Sequence, residues 1–148
     1  MRIATETRAG CQPSSGLVKK APRRPEPYAP TILIVDDDQE TRMVFRRILE
    51  ETGYFVSEAE NGRQALAALE DSFFEIMILD LSMPDTDGIE VLQAVHSRFR
   101  HLRTIVVSEF VLGGTLLKTA RLLGAVTAFD KMLANDLLLV SVCNALRC

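Results

Sequence analysis

Apolar and polar positions alternate in blocks from residue 31 onward, and the block lengths predict a repeating strand–helix pattern. Ile32–Val35 is a continuous apolar run, which predicts a strand buried on both faces. Glu40–Glu51 carries Met43, Val44, Ile48 and Leu49 near helical spacing and stops at Gly53, so a helix with that inner face is expected. Tyr54–Glu58 alternates as a short strand. Asn61 then caps a helix through Leu69, with Ala65, Leu66 and Leu69 inward. Phe74–Leu79 predicts a third strand ending at Asp80. A turn, SMPDTDG, leads to a helix over 88–99 with Ile89, Leu92 and Val95 inward. Thr104–Val107 and Val126–Phe129 are further strands, and Thr115–Leu123 and Asn135–Leu146 are further helices. Gly124 closes the first of these two.

This is (βα)5. Such alternation implies an α/β fold, a doubly wound parallel sheet with helices on both faces and right-handed crossovers. Ligands in these sheets bind beyond the carboxyl ends of the strands, where the strand order reverses. The topology therefore gathers Asp36 and Asp37 after strand 1, Asp80 after strand 3, Ser108 after strand 4 and Lys131 after strand 5.

The run Asp36-Asp37-Asp38 directly after a buried strand is electrostatically costly. Two unit charges about 4 Å apart at an effective dielectric near 20 interact by roughly 4 kcal/mol, here repulsively. Lys131 offsets one charge, and a divalent cation would offset more. Oxygen-rich sites with few other ligands suit Mg2+, with Mn2+ as an alternative. Taken singly, each residue has a plainer role. Asp38 reads as a helix cap or first-turn acid, Asp36 as either cap or ligand, and Asp85 and Asp87 as turn and cap residues. Joint placement at four strand ends favours a site. Carboxylate, cation, lysine and hydroxyl together form a phosphoryl-transfer set, with a carboxylate as nucleophile. The chain has neither GxxxxGK[ST] nor GxGxxG after the first strand, so nucleotide binding is unsupported.

Composition changes the picture mainly at the N-terminus. The 148 residues carry a net charge of −3, with 47% hydrophobic and 25% charged residues, a balance suited to one globular domain. Residues 1–30 hold six basic side chains against Glu6 and Glu26, a net +4, which leaves −7 on the remainder. Five of the six prolines lie there too, so 1–30 reads as a disordered basic leader and 31–148 as the folded domain. An acidic domain is a poor nucleic-acid binder. With no signal-peptide core and no spanning run of about 20 apolar residues, a cytoplasmic protein is expected. Cys11, Cys143 and Cys148 form no CxxC pair, and only His96 and His101 could join them, which argues against zinc. Cys143 reads as a small core residue, and both histidines as surface residues.

The motifs ILIVDDD (32–38), IMILDLSMPDTDGIEVL (76–92), TIVVS (104–108) and LLGAVTAFDK (122–131) resemble the receiver domain of two-component response regulators. The resemblance covers about residues 31–147. It implies a flavodoxin-like fold with strand order 2-1-3-4-5. Asp80 would be the phosphoacceptor, charged by a sensor histidine kinase or a histidine phosphotransfer protein. Asp37 and Asp80 would ligate Mg2+ directly, Asp36 largely through water, and the Ser82 backbone carbonyl would complete the protein ligands. Ser108 would move toward the phosphoryl oxygen, and Lys131 would pair with it. The implied role is a stand-alone signalling receiver that phosphorylates itself and slowly loses the group, with no enzyme activity on other substrates. It would act through protein contacts, including a homodimer through the fourth helix, fifth strand and fifth helix.

Three positions depart from the family pattern. Glu109 replaces a small residue beside the phosphoryl pocket. Met132 replaces the proline after the lysine, which leaves the direction of Lys131 open. Ala128 replaces the aromatic switch, with Phe129 expected on the opposite side of the strand. A degenerate receiver serving as a constitutive interaction scaffold is therefore the alternative. Haloacid-dehalogenase-like phosphatases share acyl-phosphate chemistry but need DxDx[TV], and Asp80-Leu81-Ser82 lacks the second acid.

Overall fold

The structure is a computed structural model and describes residues 28–83, 88–109 and 115–147. The expectations for residues 1–27, Asp85, Asp87 and Cys148 lie outside the described residues. The chain runs β1 (Thr31–Val35), α1 (Gln39–Thr52), β2 (Phe55–Ala59), α2 (Gly62–Asp71), β3 (Ile76–Asp80), α3 (Gly88–Arg98), β4 (Arg103–Ser108), α4 (Thr115–Leu122), β5 (Thr127–Asp130), a 3-10 turn (Lys131–Leu133) and α5 (Ala134–Arg147). The five strands are parallel in the order β2-β1-β3-β4-β5.

Strand alternation divides the core in two. Leu33, Val35, Met77, Leu79 and Val106 point to one face and pack with Ala65, Leu69, Val91, Leu92, Val95 and Ala120 of α2, α3 and α4. Ile32, Ile34, Ile76, Ile78, Ile105, Val107 and Phe129 point to the other, against Phe45 and Leu49 of α1 and Leu138, Val142 and Ala145 of α5. Both faces of β1 are covered, so its apolar run has no polar alternation. Ala128 packs against the first cluster and Phe129 lies in the second, as their adjacency on a strand requires.

The local signals act where they were read. The Asp38 carboxylate caps α1 by accepting from the Thr41 N–H at 3.1 Å. Asn61 caps α2 by accepting from the Gln64 N–H at 2.8 Å. Gly53 ends α1 at φ 106°, a left-handed conformation that glycine adopts without strain.

Two expectations are corrected. Met43 and Val44 do not face the sheet: they are 58% and 41% exposed. The buried stripe of α1 is Arg42, Phe45 and Leu49, with Ile48 half-buried beside it, because the arginine finds polar partners under the helix. Cys143 is half-buried, not a core residue. Just ahead of β1, the Pro30 carbonyl accepts from the Phe55 N–H at 3.0 Å, and the Tyr28 hydroxyl donates to Glu75. His96 and His101 are exposed, as expected, and His101 stacks on Phe73 with centroids 4.6 Å apart. Among the described residues, no helix is long and apolar enough to cross a membrane.

Candidate functional site

The chain leaves β1 toward β2 on one side and returns to β3 on the other, which opens a crevice at the carboxyl ends of β1 and β3. Val35 pairs with Leu79, so the next residues, Asp36 and Asp80, stand side by side. Each of Asp36, Asp37 and Asp80 offers a carboxylate oxygen, and the three oxygens lie within 4.8 Å of one another. Asp36 and Asp80 are only 2% and 3% exposed, whereas Asp37 faces solvent.

Lys131 answers the question left open by Met132. From the turn after β5, its Nζ lies 2.7 Å from Asp36 Oδ2 and 3.3 Å from Asp80 Oδ2. The ammonium is therefore aimed into the cluster. Burial alone would lower its pKa, but the hydrogen bond it donates to Asp36 and the charges of Asp80 and Asp36 hold it above the ordinary lysine value. One ammonium against three carboxylates leaves the crevice negative. Hard oxygen donors around a deficit of positive charge fit a dication such as Mg2+, which fills its other positions with water.

Burial raises the Asp36 carboxyl from 3.8 to about 6; the Asp80 charge adds to the rise, while bonds from Lys131 and the Asp38 N–H oppose it. A raised carboxyl favours the protonated folded state, so this group's contribution to stability falls as pH rises from 3.8 through about 6. Cation binding has the opposite dependence, because the ion needs the carboxylate. Mg2+ affinity measured by calorimetry is expected to be about tenfold weaker at pH 5 than at pH 8, since roughly a tenth of Asp36 is ionised one unit below its pKa. Equal affinities at the two pH values would remove Asp36 from the ligand set.

The acids are held by their own backbone. Asp36 Oδ1 accepts from the Asp38 N–H at 2.9 Å, and Asp80 Oδ1 accepts from the Ser82 N–H at 2.8 Å. Arg42 supports the loop from beneath. Its Nη1 donates to the Asp36 carbonyl at 2.7 Å and its Nε to Glu58 Oε1 at 2.8 Å. Arg46 binds the other Glu58 oxygen at 2.7 Å. Desolvation would raise the Glu58 carboxyl, but bonds from Arg46 and Arg42 outweigh it and bring it below the ordinary value. Sequence reasoning missed Arg42. The available signal was a basic residue three positions before Phe45 on the buried stripe, with an acid near the end of the neighbouring strand.

The family model of the response regulator receiver domain matches residues 32–142. The chain belongs to this receiver domain family. The receiver is 32% identical over 102 residues to sporulation initiation phosphotransferase F of Bacillus subtilis, covering 68% of this chain and 80% of that protein. It is 42% identical over 67 residues to the transcriptional regulatory protein ResD of the same organism, covering 45% of this chain but only 28% of ResD. Among solved structures, it resembles a CheY-like receiver domain protein from Methanospirillum hungatei with TM-score 0.74 and 29% identity, covering 81% of this chain and 95% of that one. It also resembles response regulator protein TrrA of Thermotoga maritima, solved in complex with Mg2+-BeF, with TM-score 0.69 and 26% identity over 78% of this chain and 98% of that one.

In this receiver Asp36, Asp37 and Asp80 form a candidate metal-binding cluster. Ser108 is fully buried at the end of β4, and its Oγ lies 3.0 Å from Ser82 Oγ. Glu109 follows with an exposed side chain.

Proposed function

We propose that the receiver accepts a phosphoryl group on Asp80 from a phosphohistidine and signals through protein contacts. The observation that carries this reading is the meeting of Asp36, Asp37, Asp80 and Lys131 at the ends of three separate strands. An Asp80 oxygen attacks phosphorus, an O–P bond forms, and the P–N bond to the donor histidine breaks. Lys131, already beside Asp80 Oδ2, pairs with a phosphoryl oxygen, and Ser108 donates a hydrogen bond to another. Asp36, Asp37, Asp80 and the Ser82 carbonyl would hold Mg2+, which when bound neutralises charge on the transferring group. The likeness to TrrA, whose structure holds Mg2+-BeF, supports the cation assignment. The test is incubation with acetyl phosphate and Mg2+, with a base-labile adduct expected and its loss on adding a chelator.

The phosphodonor has an approach route. A groove of about 280 Å3 lined by Asp38, Glu40, Thr41, Val44, Phe45, Lys131, Ala134 and Asn135 runs between α1 and α5 to the lysine. Exposed Val44 gives that groove an apolar rim. For self-association, Leu122, Val126, Leu133 and Val140 are 86%, 47%, 49% and 55% exposed on α4, β5 and α5 or next to them, which supports a homodimer there. We assign the protein to the cytoplasm, a reading supported by the lack of a membrane-spanning helix among the described residues. We assign residues 31–148 to the receiver and 1–30 to a basic segment ahead of it.

Glu109 favours the second reading, a scaffold that is not switched. An exposed anion about 4 Å from an incoming anion in water opposes it by about 1 kcal/mol, a fivefold factor in rate. Glu109→Ala is therefore expected to speed acetyl phosphate labelling about fivefold at low salt, with the gain shrinking as ionic strength rises. Equal rates for both proteins would clear Glu109 of hindering transfer. No labelling of either would favour the scaffold.

A further inference from the structure

The geometry points to the Ser82 side chain as a positioning residue: its hydroxyl latches Ser108 and the Glu109 amide in the resting receiver and must release Ser108 for switching. This rests on the reading that Asp80 takes the phosphoryl group. Ser82 touches both halves of the site. Its backbone N–H donates to Asp80 Oδ1 at 2.8 Å. Its Oγ accepts from the Glu109 N–H at 3.2 Å and lies 3.0 Å from Ser108 Oγ. One side chain after β3 thereby ties down both the last residue of β4 and the first residue beyond it.

Counting protons shows why this matters. Each serine hydroxyl has one proton to give and two lone pairs. Glu109 N–H occupies one lone pair of Ser82, and a single proton lies between the two hydroxyls. When Ser108 donates it, Ser108 has nothing left for a phosphoryl oxygen. When Ser82 donates it, Ser108 keeps its proton but its oxygen stays tethered beside Ser82. Ser108 is 0% exposed, so water cannot readily substitute for the Ser82 partner. Movement toward the phosphoryl group therefore exchanges one partner for another, and it frees the Glu109 amide where the chain departs toward α4. The resting arrangement is favoured by Ser82 and the phosphorylated one opposes it, so removing the latch shifts the population toward the switched form.

Amide hydrogen exchange and labelling test this in the full chain with Ser82→Ala and Ser82→Thr. Without any phosphodonor, the Glu109 amide is expected to exchange at least about fivefold faster in Ser82→Ala, the weight of one hydrogen bond. The Leu81 amide, bonded to the Val107 carbonyl at 3.2 Å, should keep its wild-type rate and reports an intact fold. With acetyl phosphate and Mg2+, Ser82→Ala should be labelled about fivefold faster, whereas Ser82→Thr, which keeps the hydroxyl, should restore both wild-type values. Unchanged Glu109 exchange in Ser82→Ala overturns the latch. So does labelling of Ser82→Ala no faster than that of a wild type that is itself labelled. A wild type that takes no label counts against Asp80 as acceptor, and the Glu109 exchange rate then decides the latch alone.

Discussion

Asp80→Asn is expected to bring acetyl phosphate labelling to background. The amide oxygen is uncharged and a poor nucleophile, so the acyl phosphate has no atom on which to form. The substitution is nearly isosteric and keeps an acceptor for the Ser82 N–H, so the fold should survive. Two further readouts separate loss of chemistry from loss of structure. Mg2+ binding should weaken by more than about tenfold, the lower bound seen when even an outer partner of a metal ligand is removed. The Asp36 carboxyl should titrate below its present value of about 6, because the Asp80 charge that adds to the effect of burial is gone. Labelling that persists in Asp80→Asn would move the acceptor elsewhere and end the proposed role of this residue.

Arg42→Ala is expected to cost the most stability of any single change near the site. Arg42 is 7% exposed, and its guanidinium bonds both the Asp36 carbonyl and Glu58. Removing one partner of a buried ion pair costs about 3–5 kcal/mol, because the other partner stays behind without compensation. Glu58 keeps Arg46 and is 24% exposed on its side chain, which places the expected loss at the lower end, about 3 kcal/mol by urea denaturation. Arg42→Lys should recover less than half of it, since an ammonium cannot reach two acceptors in the planar fork that arginine supplies. The penalty should also narrow in acid. Glu58 has a lowered carboxyl, so its contribution is present above the ordinary value of 4.5 and is lost as pH falls below it. A loss under about 1 kcal/mol at neutral pH would mean that the pair behaves like a surface contact.

The order of elements and the identity of the strand-end acids were readable along the chain because each depends on neighbours a few residues away. The run Ile32–Val35, the caps Asp38 and Asn61, and the left-handed stop at Gly53 are decided by local sterics and hydrogen bonds. Parallel pairing then follows from alternation, and the register that sets Val35 opposite Leu79 brings Asp36 beside Asp80. The inward stripe of α1 was not readable in the same way. Arg42 breaks the apolar pattern, and its burial makes sense only once Glu58 and the Asp36 carbonyl are under it.

The contacts that tune the site join residues far apart in the chain. Lys131 and Asp80 are 51 positions apart, and Ser82 and Ser108 are 26 apart. A carboxylate at a strand end announces a possible site from its neighbours alone. Where a long ammonium points, or which hydroxyl shares a proton with which, depends on distances of a fraction of an ångström between strands that meet only after folding. Periodicity carries the first kind of information, and packed three-dimensional geometry carries the second.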